Sequence, residues 1–367
     1  MDTQERVLTA LRREQPDRVP VFIYLNPWVR SWYSDDPSYA ELLKACESHA
    51  DVIYDWYFPM GMFCSAAELP EESRELPDGK VERTVRTPDG PISCLTAPDW
   101  RGGGLVKHWV CTPDDARRVL SIPYVAPRGD LGEFLATRSR LAGRAVAQLT
   151  FPDPICILGD MVEPEALAMW TVEQRPLLRE MLDAAFERIR DALTYCLEGG
   201  AGPIYYFNGP EYALPPLMSP CDFDEFVVEY DRRLVSLVHG YPDACVIIHS
   251  HGRVSGFLER FAAIGMDGLN VLEPPPTGDT ALADAKRRVG DRYCLIGNIQ
   301  YDDIARKDRR EVERLVVEAI GQGGPGGGFI LSPCASPYET PLPKRAADNL
   351  AHYLRMGRRH GTYPLRV

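Results

Sequence analysis

Long apolar runs are missing from this chain, and none approaches the roughly 20 residues of a membrane-spanning helix. Excess basic charge is missing as well: Lys+Arg number 41 against 53 Asp+Glu, a formal net charge of −12. That balance argues against nucleic acid and against an anionic membrane surface as partners. The 10 cysteines contain no CxxC pair and no framework spacing, so they argue against a disulfide scaffold and read as reduced thiols. The opening Met1-Asp2-Thr3-Gln4-Glu5-Arg6 is polar and carries no signal-peptide core. A cytoplasmic protein is expected on both counts. Repeats, low-complexity tracts and linkers are also missing, so residues 1–367 are expected to form one domain.

What is present is enough apolar material for a large core, 45% of 367 residues. Eight short strand patterns occur, at 19–24, 51–57, 145–149, 203–207, 244–248, 268–272, 293–296 and 329–331. Helical spacing separates most of them, at 39–49, 175–198, 222–239, 254–264, 281–289 and 309–322. A further helix opens the chain at 3–13, and Pro16 stops it. Eight strands alternating with helices predict an α/β fold, a single (β/α)8 (TIM) barrel whose active site is built by the loops after the strands. Between the second and third strands, residues 81–110 alternate apolar and polar around Pro88-Asp89-Gly90. That pattern predicts an inserted β-hairpin region over about 78–112.

The stretch Cys245-Val246-Ile247-Ile248-His249-Ser250-His251-Gly252 carries the most chemistry. Its apolar run reads as a strand buried on both faces, and residues i and i+2 of a strand share a side. His249 and His251 therefore project together, as half of a metal site or as a hydrogen-bonded polar pair at a strand end. The eighth strand ends in Ser332-Pro333-Cys334, which brings a thiol to the same rim of a barrel. His, His and Cys form a zinc ligand set. Glu211 follows the fourth strand and Glu273 the sixth, each either a ligand or substrate contact or a solvated loop carboxylate. Asn298, after the seventh, is a hydrogen-bonding candidate or a turn residue. Asp55 ends the second strand.

These residues belong to a pattern that resembles the uroporphyrinogen decarboxylase superfamily nearly end to end, and its zinc- and cobalamin-linked methyltransferase branch most of all. The likeness rests on Glu5-Arg6-Val7-Leu8-Thr9-Ala10-Leu11 with Pro16-Asp17-Arg18-Val19-Pro20-Val21, and on Val85-Arg86-Thr87-Pro88-Asp89-Gly90 with Thr112-Pro113-Asp114-Asp115-Ala116. Ser219-Pro220, Gly297-Asn298 and Gly326-Gly327-Gly328-Phe329-Ile330-Leu331 complete it. The resemblance implies the same barrel and makes a homodimer a reasonable expectation. The porphyrin enzymes of this superfamily carry an Arg-Gln-Ala-Gly-Arg loop after strand one for substrate carboxylates. Here the loop reads Tyr24-Leu25-Asn26-Pro27-Trp28-Val29-Arg30-Ser31-Trp32. One arginine between two tryptophans suits a smaller, less anionic substrate, so uroporphyrinogen itself is not expected.

The methyltransferase branch holds zinc with a His-x-Cys pair after strand five and a cysteine after strand eight. His249 and Cys334 match the outer positions, and His251 replaces the middle cysteine. A His2Cys set carries less negative charge than a thiolate-rich one and is the stronger Lewis acid. The expectation is therefore a methyltransferase or demethylase that binds one zinc ion per chain through His249, His251 and Cys334. Glu211 would act as fourth ligand or proton-transfer group, with Tyr24, Trp28, Trp32 and Tyr212 shaping a small-molecule pocket. No Asp-x-His-x-x-Gly corrinoid-binding stretch occurs, so any corrinoid must arrive on a separate partner protein. The alternative is a metal-independent decarboxylase of a small carboxylate, with Arg30 or Arg253 as anchor and Asp55 as acid. A catalytically inactive binding subunit is a third reading, and a rim rich in ionisable groups argues against it.

Overall fold

A computed structural model describes residues 1–98 and 104–366. Seven parallel strands form its central sheet: β1 (Val52–Tyr57), β6 (Ala145–Pro152), β7 (Ile204–Asn208), β8 (Cys245–His249), β9 (Gly268–Asn270), β10 (Cys294–Ile299) and β11 (Phe329–Pro333), paired in that order. Helices join most successive pairs, the longest being Arg175–Glu198 between β6 and β7. The crossovers bury both faces of the sheet, which is why these strands are almost wholly apolar.

The first expected strand, 19–24, is reduced to a single parallel bridge between Val21 and Leu331. Pro20 has no amide hydrogen to give a ladder. The segment nevertheless touches both edges of the sheet. The Asp51 amide donates to the Val21 carbonyl at 2.8 Å on the β1 side, and the Phe22 amide donates to the Leu331 carbonyl at 2.8 Å on the β11 side. The two edges therefore approach one segment, and the sheet curls on itself. Buried charges fix the same place from below. The Asp51 carboxylate, fully buried, accepts from Arg6 Nη1 at 2.8 Å, Arg18 Nη1 at 2.6 Å and the Val21 amide at 2.9 Å.

Strand parity then decides what faces the inside of the curl. Ile53, Val146, Ile204, Cys245, Ile247, Ile296 and Ile330 pack with Val7 and Leu11 of the N-terminal helix Thr3–Leu11 in one inner cluster. Their neighbours Val52, Ala147, Tyr205, Val246 and Ile248 pack outward against the helices. Two residues beyond the inner set, toward the strand ends, stand Asp55, Gln148, Tyr206, His249 and Asn298. Polar side chains thus collect at the carboxyl ends of the strands.

A second, antiparallel sheet lies in the chain between β1 and β6, with the order β2 (Glu71–Glu75), β3 (Val81–Thr87), β4 (Gly90–Ala97) and β5 (Gly104–Lys107). It begins before the segment expected at about 78–112, and residues 99–103 of that segment lie outside those described. Strand β2, Glu-Glu-Ser-Arg-Glu, is exposed throughout and has no apolar alternation to read. Cross-strand pairs Arg83–Glu71, Arg74–Glu82 and Arg86–Glu72 line its ladder with β3.

Candidate functional site

A cavity of about 820 Å³ opens at the carboxyl ends of the parallel strands. Tyr24, Arg30, Trp32, Asp55, Glu211, His249, His251 and Cys334 all line it. Trp28, Tyr212, Glu273 and Asn298 do not. Trp28 presents its ring to the Arg144 guanidinium, 5.3 Å away. The Tyr212 hydroxyl donates to Asp160 at 2.7 Å. Glu273 is buried behind the lining, where Oε2 accepts from the Gly252 amide at 2.7 Å and Oε1 lies 3.4 Å from His251 Nδ1. Asn298 stands at the end of β10, in register with Ser332 of β11.

His249 is the best-determined group. Its Nδ1 lies 2.8 Å from the Asn270 side-chain oxygen and 2.7 Å from the Tyr206 hydroxyl. That oxygen also accepts from the hydroxyls of Tyr24 at 2.8 Å and Tyr206 at 2.7 Å. An amide oxygen only accepts, so the imidazole proton sits on Nδ1 and the lone pair on Nε2. Burial, with the nearby His251 charge, depresses the His249 pKa to about 4. The ring is therefore neutral at physiological pH with one nitrogen free to ligate. A ring whose second nitrogen is fixed by a carbonyl oxygen is the usual arrangement around a ligating histidine. Asn270 and Tyr206 were not anticipated from the sequence. Their only signals are polar residues on the inner parity of otherwise apolar strands.

The other donors are held differently. The hydrogen bond to Glu273 raises the pKa of His251, against the opposing effect of burial. Burial raises the Glu211 pKa, and its Oε2 is buried with no hydrogen-bond partner. Glu211 enters from the turn Pro210–Ala213 after β7, which Gly209 turns at φ +134°. Burial, then the Glu273 charge, pushes the Cys334 thiol well above its ordinary value. Imidazole nitrogen, thiol sulfur and an unpartnered carboxyl oxygen lining one cavity fit zinc in kind. Among the described residues, however, no three His, Cys, Asp or Glu side chains already converge as a cluster able to hold a metal ion.

Asp55 belongs to the opposite side of the chemistry. Burial raises its pKa to about 6, while Thr150 Oγ1 at 2.5 Å and Gln148 Nε2 at 3.2 Å both donate to its Oδ1. Arg30 is exposed and its Nη2 bonds Asp35 at 2.6 Å.

A family model described as uroporphyrinogen decarboxylase (URO-D) matches residues 137–347. A methylcobamide:CoM methyltransferase, MtaA, from Methanosarcina barkeri is 28% identical over 146 residues, 40% of this chain and 40% of that relative. The match thus spans well under two thirds of that relative's length. A uroporphyrinogen decarboxylase from Sodalis glossinidius (strain morsitans) is 28% identical over 257 residues, 65% of this chain and 70% of the relative. Among solved structures, a methyltransferase from Methanosarcina mazei superposes with a TM-score of 0.63 at 18% identity, covering 97% of this chain and 98% of that one. At that identity the likeness is one of fold.

Proposed function

Because this chain belongs to the uroporphyrinogen decarboxylase family, whose fold methyltransferases share, we propose that it is a zinc-dependent methyltransferase or demethylase of a small molecule. The single observation that carries this reading is His249, held neutral with Nε2 free, in a cavity that His251, Cys334 and Glu211 also line. The matched methylcobamide:CoM methyltransferase supports the same direction. In this reading His249, His251 and Cys334 hold the metal, with Glu211 as fourth ligand or proton donor. Bound zinc supplies Lewis acidity toward a substrate heteroatom.

The chain's own groups do the rest. Asn270 and Tyr206 fix the His249 ring. Glu273 orients His251 from behind. Glu211, whose pKa burial raises, delivers a proton to the heteroatom that loses its methyl group. Tyr24 and Trp32 wall the pocket. The methyl group passes to or from a corrinoid on a separate protein docked over the cavity mouth, because this chain has no corrinoid-binding stretch of its own.

The decarboxylase alternative asks for a cationic anchor beside the acid Asp55. Arg30 is already engaged by Asp35, and Arg253 is exposed and outside the cavity lining. Chelation separates the two. Methyl transfer between cob(I)alamin and a methylated donor should vanish in chelator and return with zinc. Activity that persists in chelator would favour decarboxylation instead.

A further inference from the structure

The charge balance of the cavity says what kind of molecule belongs in it. Among the described residues that line it, Arg30 is the only arginine or lysine, and Asp35 already neutralises it. Two carboxyl groups, Asp55 and Glu211, stand in the wall without a lysine or arginine partner. Asp55 is half-buried and its donors are neutral: the Thr150 hydroxyl and the Gln148 amide, both at Oδ1, and the Trp56 backbone. A buried carboxylate without a counter-charge is costly, and a cation brought by a ligand removes that cost.

Aromatic rings line the same cavity as Asp55, among them Tyr24, Tyr57 and Tyr206. Trp32, over half exposed, stands in the lining with them. Aromatic faces attract alkylated ammonium groups, which are large, weakly hydrated cations. An anionic substrate meets the reverse, the Asp55 carboxylate of its own sign, with Arg30 held by Asp35 and His251 by Glu273.

We propose that this cavity takes a substrate bearing a small alkylated ammonium group, with Asp55 as counter-charge and Tyr24, Trp32, Tyr57 and Tyr206 as walls. This substrate class rests on the methyl-transfer reading for the site's being a substrate site, whereas the binding itself is measurable without it. Three molecules of one shape test it by calorimetry on the metal-free full chain: choline, its neutral isostere 3,3-dimethylbutan-1-ol and the anionic 3,3-dimethylbutanoate. Choline should bind roughly ten-fold or more tighter than the neutral isostere, and the anion weakest of all. Asp55→Asn should erase that preference while the neutral isostere binds as before, which reports that the cavity is intact. Trp32→Ala, at a position over half exposed, should weaken choline more than the neutral isostere. Equal binding of choline and its neutral isostere, tighter binding of the anion, no choline binding at millimolar concentration, or a preference unchanged by Asp55→Asn would each overturn it. Zinc content and methyl transfer are read separately, so either reading can fail while the other stands.

Discussion

Asp55 shows how much one half-buried group sets at the residue scale. Its pKa of about 6 lies above the ordinary carboxylate value near 4 because burial disfavours the charge. Between about pH 4 and 6 the folded protein binds more protons than the unfolded chain. This group's contribution to stability therefore falls as pH rises through that window, and the penalty is complete above it. Asp55→Asn should stabilise the protein by roughly 1–3 kcal/mol at pH 7, with the gain disappearing near pH 4. Urea unfolding at the two pH values measures it. Asn270 works in the opposite sense. Asn270→Leu removes the acceptor of two tyrosine hydroxyls and the His249 imidazole. The expected cost is about 1–3 kcal/mol, together with loss of the fixed Nδ1–H tautomer, seen in nitrogen-detected histidine spectra. His249, His251 and Cys334 were legible because a short apolar run ending in a ligand-type residue is a local signal. Asn270 and Tyr206 were not, because their partners come from strands far apart in the chain.

At the scale of elements, the loop after β7 rests on one glycine. A Cβ on Gly209 would lie 2.2 Å from Asp153 Oδ1 and 2.3 Å from the Cys156 Cβ, at a φ of +134°. That same Asp153 oxygen caps the helix Pro154–Met161 by accepting from the Cys156 amide at 2.7 Å. Gly209→Ala should therefore destabilise by about 2 kcal/mol or more and displace Glu211, two residues on. Thermal unfolding and the pH profile of activity report the two effects separately. Helix positions were the most legible part of the fold. The span 175–198 is observed as expected, because twenty-four residues of one period leave little ambiguity. The segment 222–239 is instead the end of the short helix Pro220–Phe223, a wider π-type turn at Asp224–Val228 and the helix Glu229–His239. Side-chain periodicity alone does not register one inserted residue. Strand β2 escaped notice because ion pairs, not apolar alternation, hold it.

Over the whole molecule, the buried Asp51–Arg6–Arg18 group ties the N-terminal segment between β1 and β11, where the sheet curls on itself. Asp51→Ala would leave Arg18 buried without its anion, while Arg6 keeps Asp17, and should cost about 3–5 kcal/mol in denaturant unfolding. Repeated strand–helix alternation made the class of fold readable in the sequence. The weakness of its first strand was not, since Val19, Val21 and Ile23 read as a strand while Pro20 lowers the number of bonds they make. The account as a whole stands on the cavity's donor wall. The most direct measurement is the zinc content of purified, untagged protein from zinc-supplemented cells, beside His249→Ala and Cys334→Ser. About one zinc per chain, lost in both variants, is the predicted result. Wild-type protein without zinc would contradict it, as would zinc retained in full by both variants.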